Sequence, residues 1–186
     1  MVQRRFREAL DAHSGPIRVV SMCAGEGRDV IGVLGEYPRS QEVRARLVEL
    51  DPRNAAIARA DAVGAGLDRV EIVEADAANT NSYAGAVPAE IILACGVFGN
   101  ITDDDIRRTI EHLPCWAAPG ATVIWTRYIE KGRDIVGAIG GWFVGAGFEE
   151  VTLDAPEEWR YSVGVHRLVG LTRPFEPDVT LFRFFR

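Results

Sequence analysis

The stretch from Ile17 to Val30, IRVVSMCAGEGRDV, constrains the fold of this chain more than any other. It begins with a short apolar run rich in β-branched residues, which is typical of a strand buried on both faces. Gly25 and Gly27 follow, and glycine lets the backbone turn sharply and lie close to a ligand because it has no Cβ. Arg28 and Asp29 then open a helix, whose first N–H groups are free. The stretch therefore predicts a strand, a glycine turn and a helix that could hold an adenosine-type cofactor.

Strands and helices alternate along the rest of the chain. The patterns predict strands at 43–50, 70–74, 90–95, 121–125, 148–153 and 180–185, and helices at 28–34, 52–62, 103–113 and 134–146. Such alternation indicates an α/β fold, a doubly wound sheet of about seven mostly parallel strands with helices on both faces. We expect a single domain, with an N-terminal helix in residues 1–14 and an α/β core in 15–186. That helix either packs on the sheet, which we favour, or covers a ligand cleft.

Composition and charge narrow the function classes. A net charge of −6 argues against broad nucleic-acid binding, which needs a cationic surface. The sequence has no run of 18 apolar residues and no signal-peptide pattern at its N-terminus, so we expect no membrane segment. The three cysteines, Cys23, Cys95 and Cys115, have no Cys-x-x-Cys spacing. They predict free thiols, no metal site and a cytoplasmic location.

Two acids follow predicted strands. Glu49 stands at the end of the second strand, and the two hydroxyls of a ribose are suitable donors to a carboxylate there. Its separation from Gly27 is about that expected between a cofactor-binding turn and a ribose-binding acid. Asp76 ends the third strand, where it either accepts from an adenine amino group or closes a local turn. We expect Glu49 to lie outside the core, so that its removal would weaken a cofactor without destabilising the fold.

Six stretches occur along the chain in this order: VVSMCAGEGRD, VELDP, EADA, IILACGVFGNI, APGATVIWTR and AGFEEV. In these stretches and in their order, the chain resembles the class I S-adenosylmethionine-dependent methyltransferases. The resemblance covers about residues 17–153. In the family's first motif, Ser21 occupies the position of an acid and Cys23 that of the first glycine. Both are departures from the pattern, and Ser21 has no carboxylate for the ammonium end of the cofactor.

The resemblance implies that the protein uses S-adenosylmethionine, releases S-adenosylhomocysteine and binds both at one sheet edge. It implies cofactor contacts at Cys23, Ala24, Gly25, Gly27, Glu49, Leu50, Asp76, Ala77, Cys95 and Gly96. His166 is the candidate general base by its chemistry, and Asn100 is a polar neighbour of the predicted cleft. By elimination, the acidic chain favours a small-molecule methyl acceptor. Nothing in the sequence indicates an oligomeric state.

Two other functions stay open. A relative that keeps the fold and binds a cofactor or a partner without turnover would explain the departures at Ser21 and Cys23. A nicotinamide-dependent oxidoreductase would share the glycine turn. That class needs a third glycine, and Val30 stands at its position.

Overall fold

A computed structural model describes residues 1–129, 134–156 and 160–185. One seven-stranded sheet contains β1 (Ile17–Ser21), β2 (Val43–Glu49), β3 (Val70–Glu74), β4 (Ala89–Ala94), β5 (Ala117–Tyr128), β6 (Phe148–Asp154) and β7 (Tyr161–Leu168). The helices are α1 (Val2–Asp11), α2 (Arg28–Leu34), α3 (Pro52–Gly64), α4 (Asp103–His112) and α5 (Ile135–Gly145).

The strands lie in the order β3-β2-β1-β4-β5-β7-β6. Neighbouring strands from β3 to β5 pair in parallel, while β7 is antiparallel to both β5 and β6. The predicted α/β sheet of seven mostly parallel strands is confirmed. Its antiparallel β7 distinguishes it from the 3-2-1-4-5-6 order typical of dinucleotide-binding oxidoreductases.

Helices cover both faces of the sheet, and each face has its own apolar core. On one side, residues of α1, α2 and α3 pack with Ile17, Val19 and Leu47. On the other, residues of α4 and α5 pack with Val20, Ile92 and Trp125. Because both faces are buried, the central strands are almost continuously apolar, which is the pattern seen in the sequence.

The last strand differs from the prediction at 180–185. The seventh strand is Tyr161–Leu168, which fits between β5 and β6, whereas Thr180 makes only an isolated antiparallel bridge with Asn79. Gly164 lets Tyr161–Leu168 pair with β5. It lies opposite Trp125, and a Cβ on it would come within 2.2 Å of the indole. Residues 181–185 instead have no regular secondary structure: Leu181 donates to the Ala78 carbonyl, Phe185 donates to the Asn100 carbonyl, and Phe182 is buried.

The N-terminal helix packs on the protein, as favoured. Phe6, Ala9 and Leu10 of α1 are buried against the core, and Arg5 donates to Asp154 of β6 at 2.6 Å. Its first residue, Val2, borders the cleft described below. In the described part of the chain, no helix combines the length and hydrophobicity needed to cross a membrane.

Candidate cofactor site

The predicted cofactor residues meet at the carboxyl edge of the sheet. Since β3, β2, β1 and β4 are neighbours, their ends place Asp76, Glu49, Cys23 and Cys95 in that order along the edge. In sheets of this kind, ligands bind outside the carboxyl ends of the strands. The structure therefore brings together residues that lie more than 70 positions apart in the chain.

Glu49 joins the turn after β1 to the turn after β2. Its Oε2 accepts from the backbone N–H of Gly25 at 2.7 Å, and its Oε1 accepts from that of Asp51 at 2.9 Å. The residue is 9% exposed. Glu49 stands at the strand tip outside the apolar core, but its two hydrogen bonds make it part of the turn, so its removal is expected to affect stability as well as binding. A carboxylate has about four acceptor positions, so two bonds still leave it able to accept from a ribose.

The two glycines of the turn have different roles. Both have positive φ, +57° at Gly25 and +73° at Gly27. A Cβ on Gly27 would lie 2.6 Å from Ile31 and 2.9 Å from Leu47, so this glycine lets α2 pack closely on the sheet. A Cβ on Gly25 would meet nothing within 4 Å. Gly25 thus borders open space beside the Glu49 carboxylate.

The end of β3 offers a polar edge and an apolar surface. Asp76 is exposed, and its Oδ1 accepts from the N–H of Ala78 at 2.8 Å, so the local turn anticipated from the sequence is present. Ala77 is buried beside it, while Leu50 is 63% exposed. An exposed leucine next to a carboxylate suits the flat, partly apolar face of an adenine. The residues present fit an adenosine group on these grounds.

Cys23 and Cys95 lie at the same edge, as expected from the neighbouring positions of β1 and β4. Both are half-buried free thiols, and they border the same small cavity. Burial, together with the nearby Glu49 and Asp76 carboxylates, raises the pKa of Cys23 to about 12. Burial also raises the pKa of Cys95. Both groups are therefore neutral near pH 7, and Cys23 has a φ of +48° at the position where the family has glycine.

A cleft of about 610 Å³ opens beside the ends of β4 and β5. It is lined by Val2, Asp29, Cys95, Gly96, Gly99, Asn100, Thr126, Arg127, Tyr128 and Tyr161. Thr126 accepts from the N–H of Gly96 at 2.8 Å, and Asn100 donates to the Gly96 carbonyl at 2.8 Å. These bonds fix the loop after β4. Asn100 thus lies at the cleft, and its catalytic role stays a prediction.

His166 does not lie at this edge, and its assignment as a catalytic base is corrected. It is 0% exposed and pairs with Val123 in the middle of β5. That is five residues from Tyr128, or roughly 16 Å along the strand. Trp125 donates to its Nδ1 at 3.1 Å, and Phe143 stacks on its ring. Burial lowers the pKa of His166 to about 4, so the ring is a neutral core group.

Asp29, Thr126, Tyr128 and Tyr161 are among the cleft residues that the sequence did not predict as site residues. Thr126 and Tyr128 end β5, and their position after a buried strand was a usable signal. Tyr161 lies opposite Tyr128 because β7 runs antiparallel, which brings its first residue to the cofactor edge. That placement could not be found while the last strand was assigned to 180–185. Asp29 was seen only as the start of α2.

One group among the described residues has a spacing that could hold a metal ion: His112, Cys115 and Glu176. It lies at the end of α4, near the start of β4, where Ala89 donates to the Trp116 carbonyl, and so at the opposite edge of the sheet from the cleft. Arg173 is hydrogen-bonded to Cys115, which places a positive charge where a cation would bind. The group fits a metal poorly, and the absence of a metal site stays a prediction.

Comparison with solved structures identifies the architecture. The cyclase SpnF, described as a [4+2]-cyclase, has 12% identity and a TM-score of 0.68 over 94% of this chain and 82% of its own. An O-methyltransferase family protein from Burkholderia thailandensis has 17% identity and a TM-score of 0.66, over 90% and 57%. The mitomycin 7-O-methyltransferase MmcR has 19% identity and a TM-score of 0.63, over 90% and 54%. The chain has the class I methyltransferase fold.

Identities this low establish the class I methyltransferase fold alone. The chain spans little more than half the length of MmcR and the Burkholderia protein. No protein-family model matches the sequence, and no curated protein matches it. The function therefore has to be argued from the site, since one fold can support unrelated activities.

Proposed function

We propose that this protein binds S-adenosylmethionine at the carboxyl edge of its sheet and transfers the methyl group to a small-molecule acceptor. The observation that carries the proposal is the open space at Gly25, bounded by the Glu49 carboxylate. A glycine with positive φ and no atom near its absent Cβ leaves room for a close ligand, and at Gly25 a buried carboxylate lies beside that room.

Each part of the cofactor has residues suited to it. Glu49 accepts from the ribose hydroxyls, and Asp76 from the adenine amino group. Leu50 and Ala77 contact the faces of the base, while Gly96 and Cys95 border the cofactor's sulfur end. When bound, the cofactor supplies a methyl group that is already activated by its sulfonium. The protein's task is then to align the acceptor.

The cleft beside β4 and β5 is where the acceptor binds in this proposal. Its volume of about 610 Å³ lies within the range of small-molecule sites. Tyr128 and Tyr161 supply aromatic surface, and Asn100 supplies an amide. Because Gly96 belongs to both the cofactor edge and the cleft, an acceptor held here is close to the sulfur end of the cofactor. These features support a small, partly aromatic acceptor.

A second candidate is a protein that keeps the cofactor site without methyl transfer. Ser21 and Cys23 favour it, because both depart from the family's first motif at the cofactor's own turn. The similarity to a structure described as a [4+2]-cyclase gives it further support, since that protein shares the fold and is named for other chemistry.

Melting experiments with S-adenosylmethionine, S-adenosylhomocysteine and NADH test cofactor choice. A ligand at one hundred times its dissociation constant adds about 2.7 kcal/mol to the unfolding free energy, so the first two should raise the melting temperature and NADH should not. Transfer of a labelled methyl group from the cofactor to a metabolite extract then separates the two candidates. Stabilisation without transfer would favour the non-catalytic protein, and no shift with either adenosyl compound would contradict both.

A further inference from the structure

The Asp29 side chain, on the second residue of α2, is an acid that the proposed site has not yet used. Asp29 borders the acceptor cleft together with Cys95 and Gly96. It also borders the small cavity under the turn after β1, together with Ser21 and Cys23. It therefore stands where the ends of β1 and β4 meet, between the cofactor edge and the cleft.

The carboxylate of Asp29 is half-buried and has no hydrogen bond or ion pair within the described ranges of the chain. It is close enough to the Cys95 thiol to raise the pKa of that group, after burial itself. The amino group of Met1 attracts this carboxylate without a hydrogen bond. An ionised carboxylate that has lost part of its water and accepts no hydrogen bond is unfavourable, and a cation bound directly at this point would offset the cost. The neighbouring Arg28 is paired with Glu26 instead.

In the proposed function, Asp76 at the end of β3 would hold the adenine and Glu49 at the end of β2 would hold the ribose. The next strands along the edge are β1 and then β4, so the amino-acid part of the cofactor would extend toward Asp29. That part carries an α-ammonium group.

The position that would normally meet this ammonium is altered here. Ser21 stands where the family has an acid, and a hydroxyl carries no compensating charge. We propose that Asp29 binds the α-ammonium group of S-adenosylmethionine in place of a carboxylate at position 21. This inference rests on the proposed function. Asp29 is then the residue that distinguishes cofactors with an intact amino acid from simpler thioadenosines.

Calorimetric titration with two probes tests the assignment. S-adenosylhomocysteine carries the ammonium, whereas 5′-methylthioadenosine has the same adenine, ribose and sulfur without the amino acid. The Asp29→Asn variant should bind S-adenosylhomocysteine roughly tenfold or more weakly than the wild type, the scale of a lost charge-assisted hydrogen bond. Its affinity for 5′-methylthioadenosine should stay within about twofold, which also shows that the site is folded.

Glu36→Gln is the matched control, because it removes one charge from a carboxylate that is paired with Arg7 and lies beyond the end of α2, outside both the turn and the cleft. It should leave both affinities unchanged. Equal affinity of wild type and Asp29→Asn for S-adenosylhomocysteine would overturn the assignment and leave the amino group of Met1, which also acts on Asp29, as its partner. An equal loss of affinity for both probes would overturn it as well, because the Asp29 carboxylate would then stabilise the shape of the turn and not bind the ammonium group. A wild type that binds neither probe would instead refute the proposed function.

Discussion

Glu49 accepts a hydrogen bond from the backbone N–H of Gly25 at 2.7 Å, so the acid after β2 is part of the turn after β1. The residue that we assign to the ribose therefore also holds the cofactor turn in shape. Preformed sites of this kind bind with a smaller ordering cost, because the loop is already in its bound conformation.

Replacement of Glu49 should consequently affect both binding and stability. In Glu49→Gln, one of the two N–H groups at Gly25 and Asp51 faces an amide NH2 instead of an oxygen. We expect a loss of about 1–3 kcal/mol in unfolding free energy and a roughly tenfold or greater loss of affinity for S-adenosylhomocysteine. Urea denaturation and calorimetry measure the two effects.

Glu74→Gln is the control for this variant. Glu74 is the register partner of Glu49 on β3, but it is exposed and its nearest ion-pair contact, with Arg59, is 4.0 Å. Its replacement should change stability by less than about 0.5 kcal/mol. If Glu49→Gln were as stable as Glu74→Gln, the carboxylate would not be holding the turn.

Much of the cofactor edge could be predicted from the sequence. The order of Gly25, Glu49 and Asp76 in the chain is local information, and parallel strands carry such residues to one edge without any knowledge of packing. The roles of Gly27 and Glu49 in the fold could not be predicted in this way. They depend on the contacts of Gly27 with Leu47 and of Glu49 with Gly25, which only the folded chain brings into range.

The errors concern residues whose role depends on a partner strand. His166 has the chemistry of a general base, but its depth in the sheet is set by its pairing with Val123, which the sequence does not show. Gly164 reads as a strand breaker until Trp125 is placed opposite it. The aromatic run near the end of the chain suggested a strand, whereas its Thr180 only bridges to Asn79.

The assignment of β7 can be tested at Gly164. A Cβ there would lie 2.2 Å from the buried Trp125 ring, so Gly164→Ala must displace the indole and its hydrogen bond to His166. We expect this variant to lose about 1–3 kcal/mol or more of unfolding free energy, as other overpacked cores do. Gly141→Ala in α5 is the control, because its Cβ would meet nothing within 4 Å. Equal stability of the two variants would place Gly164 outside the β5–β7 interface.

Cys23 permits a test of backbone conformation at the cofactor turn. Its φ of +48° is unfavourable for any residue with a Cβ, by roughly 1–2 kcal/mol. Cys23→Gly and Cys23→Ala both remove the thiol, so their difference reports the conformation alone. We expect the glycine variant to be more stable by about 1 kcal/mol in urea denaturation, after the greater freedom of glycine in the unfolded chain is allowed for. A more stable alanine variant would mean that this residue is not left-handed.

The buried His166 should make stability depend on pH. Its folded pKa of about 4 lies below the unfolded value of 6.5, so the unfolded state binds the proton first. Stability is therefore full above about pH 6.5 and falls as the pH decreases toward 4, by on the order of 3 kcal/mol from this group.

Comparison of the wild type with His166→Gln isolates this contribution, because burial also lowers the pKa of His112 and gives a slope of the same sign. The variant should be less stable at pH 7.5, since Trp125 loses its fitted acceptor, but it should lose less stability between pH 7.5 and 5. If urea denaturation showed that the unfolding free energies of the two proteins change equally with pH, His166 would titrate normally and be accessible to solvent.

The central claim is that the space at Gly25 holds S-adenosylmethionine, and calorimetric titration of Gly25→Ala with S-adenosylhomocysteine tests it most directly. Gly66→Ala is the control, because Gly66 has a similar φ of +67° and equally open surroundings, away from the sheet's carboxyl edge. Both variants place an alanine at a similar positive φ, so both should lose about 1 kcal/mol of unfolding free energy. We predict that the wild type and Gly66→Ala bind the ligand alike, whereas Gly25→Ala binds it at least tenfold more weakly. Equal affinity of all three proteins, or no binding by the wild type, would contradict the account.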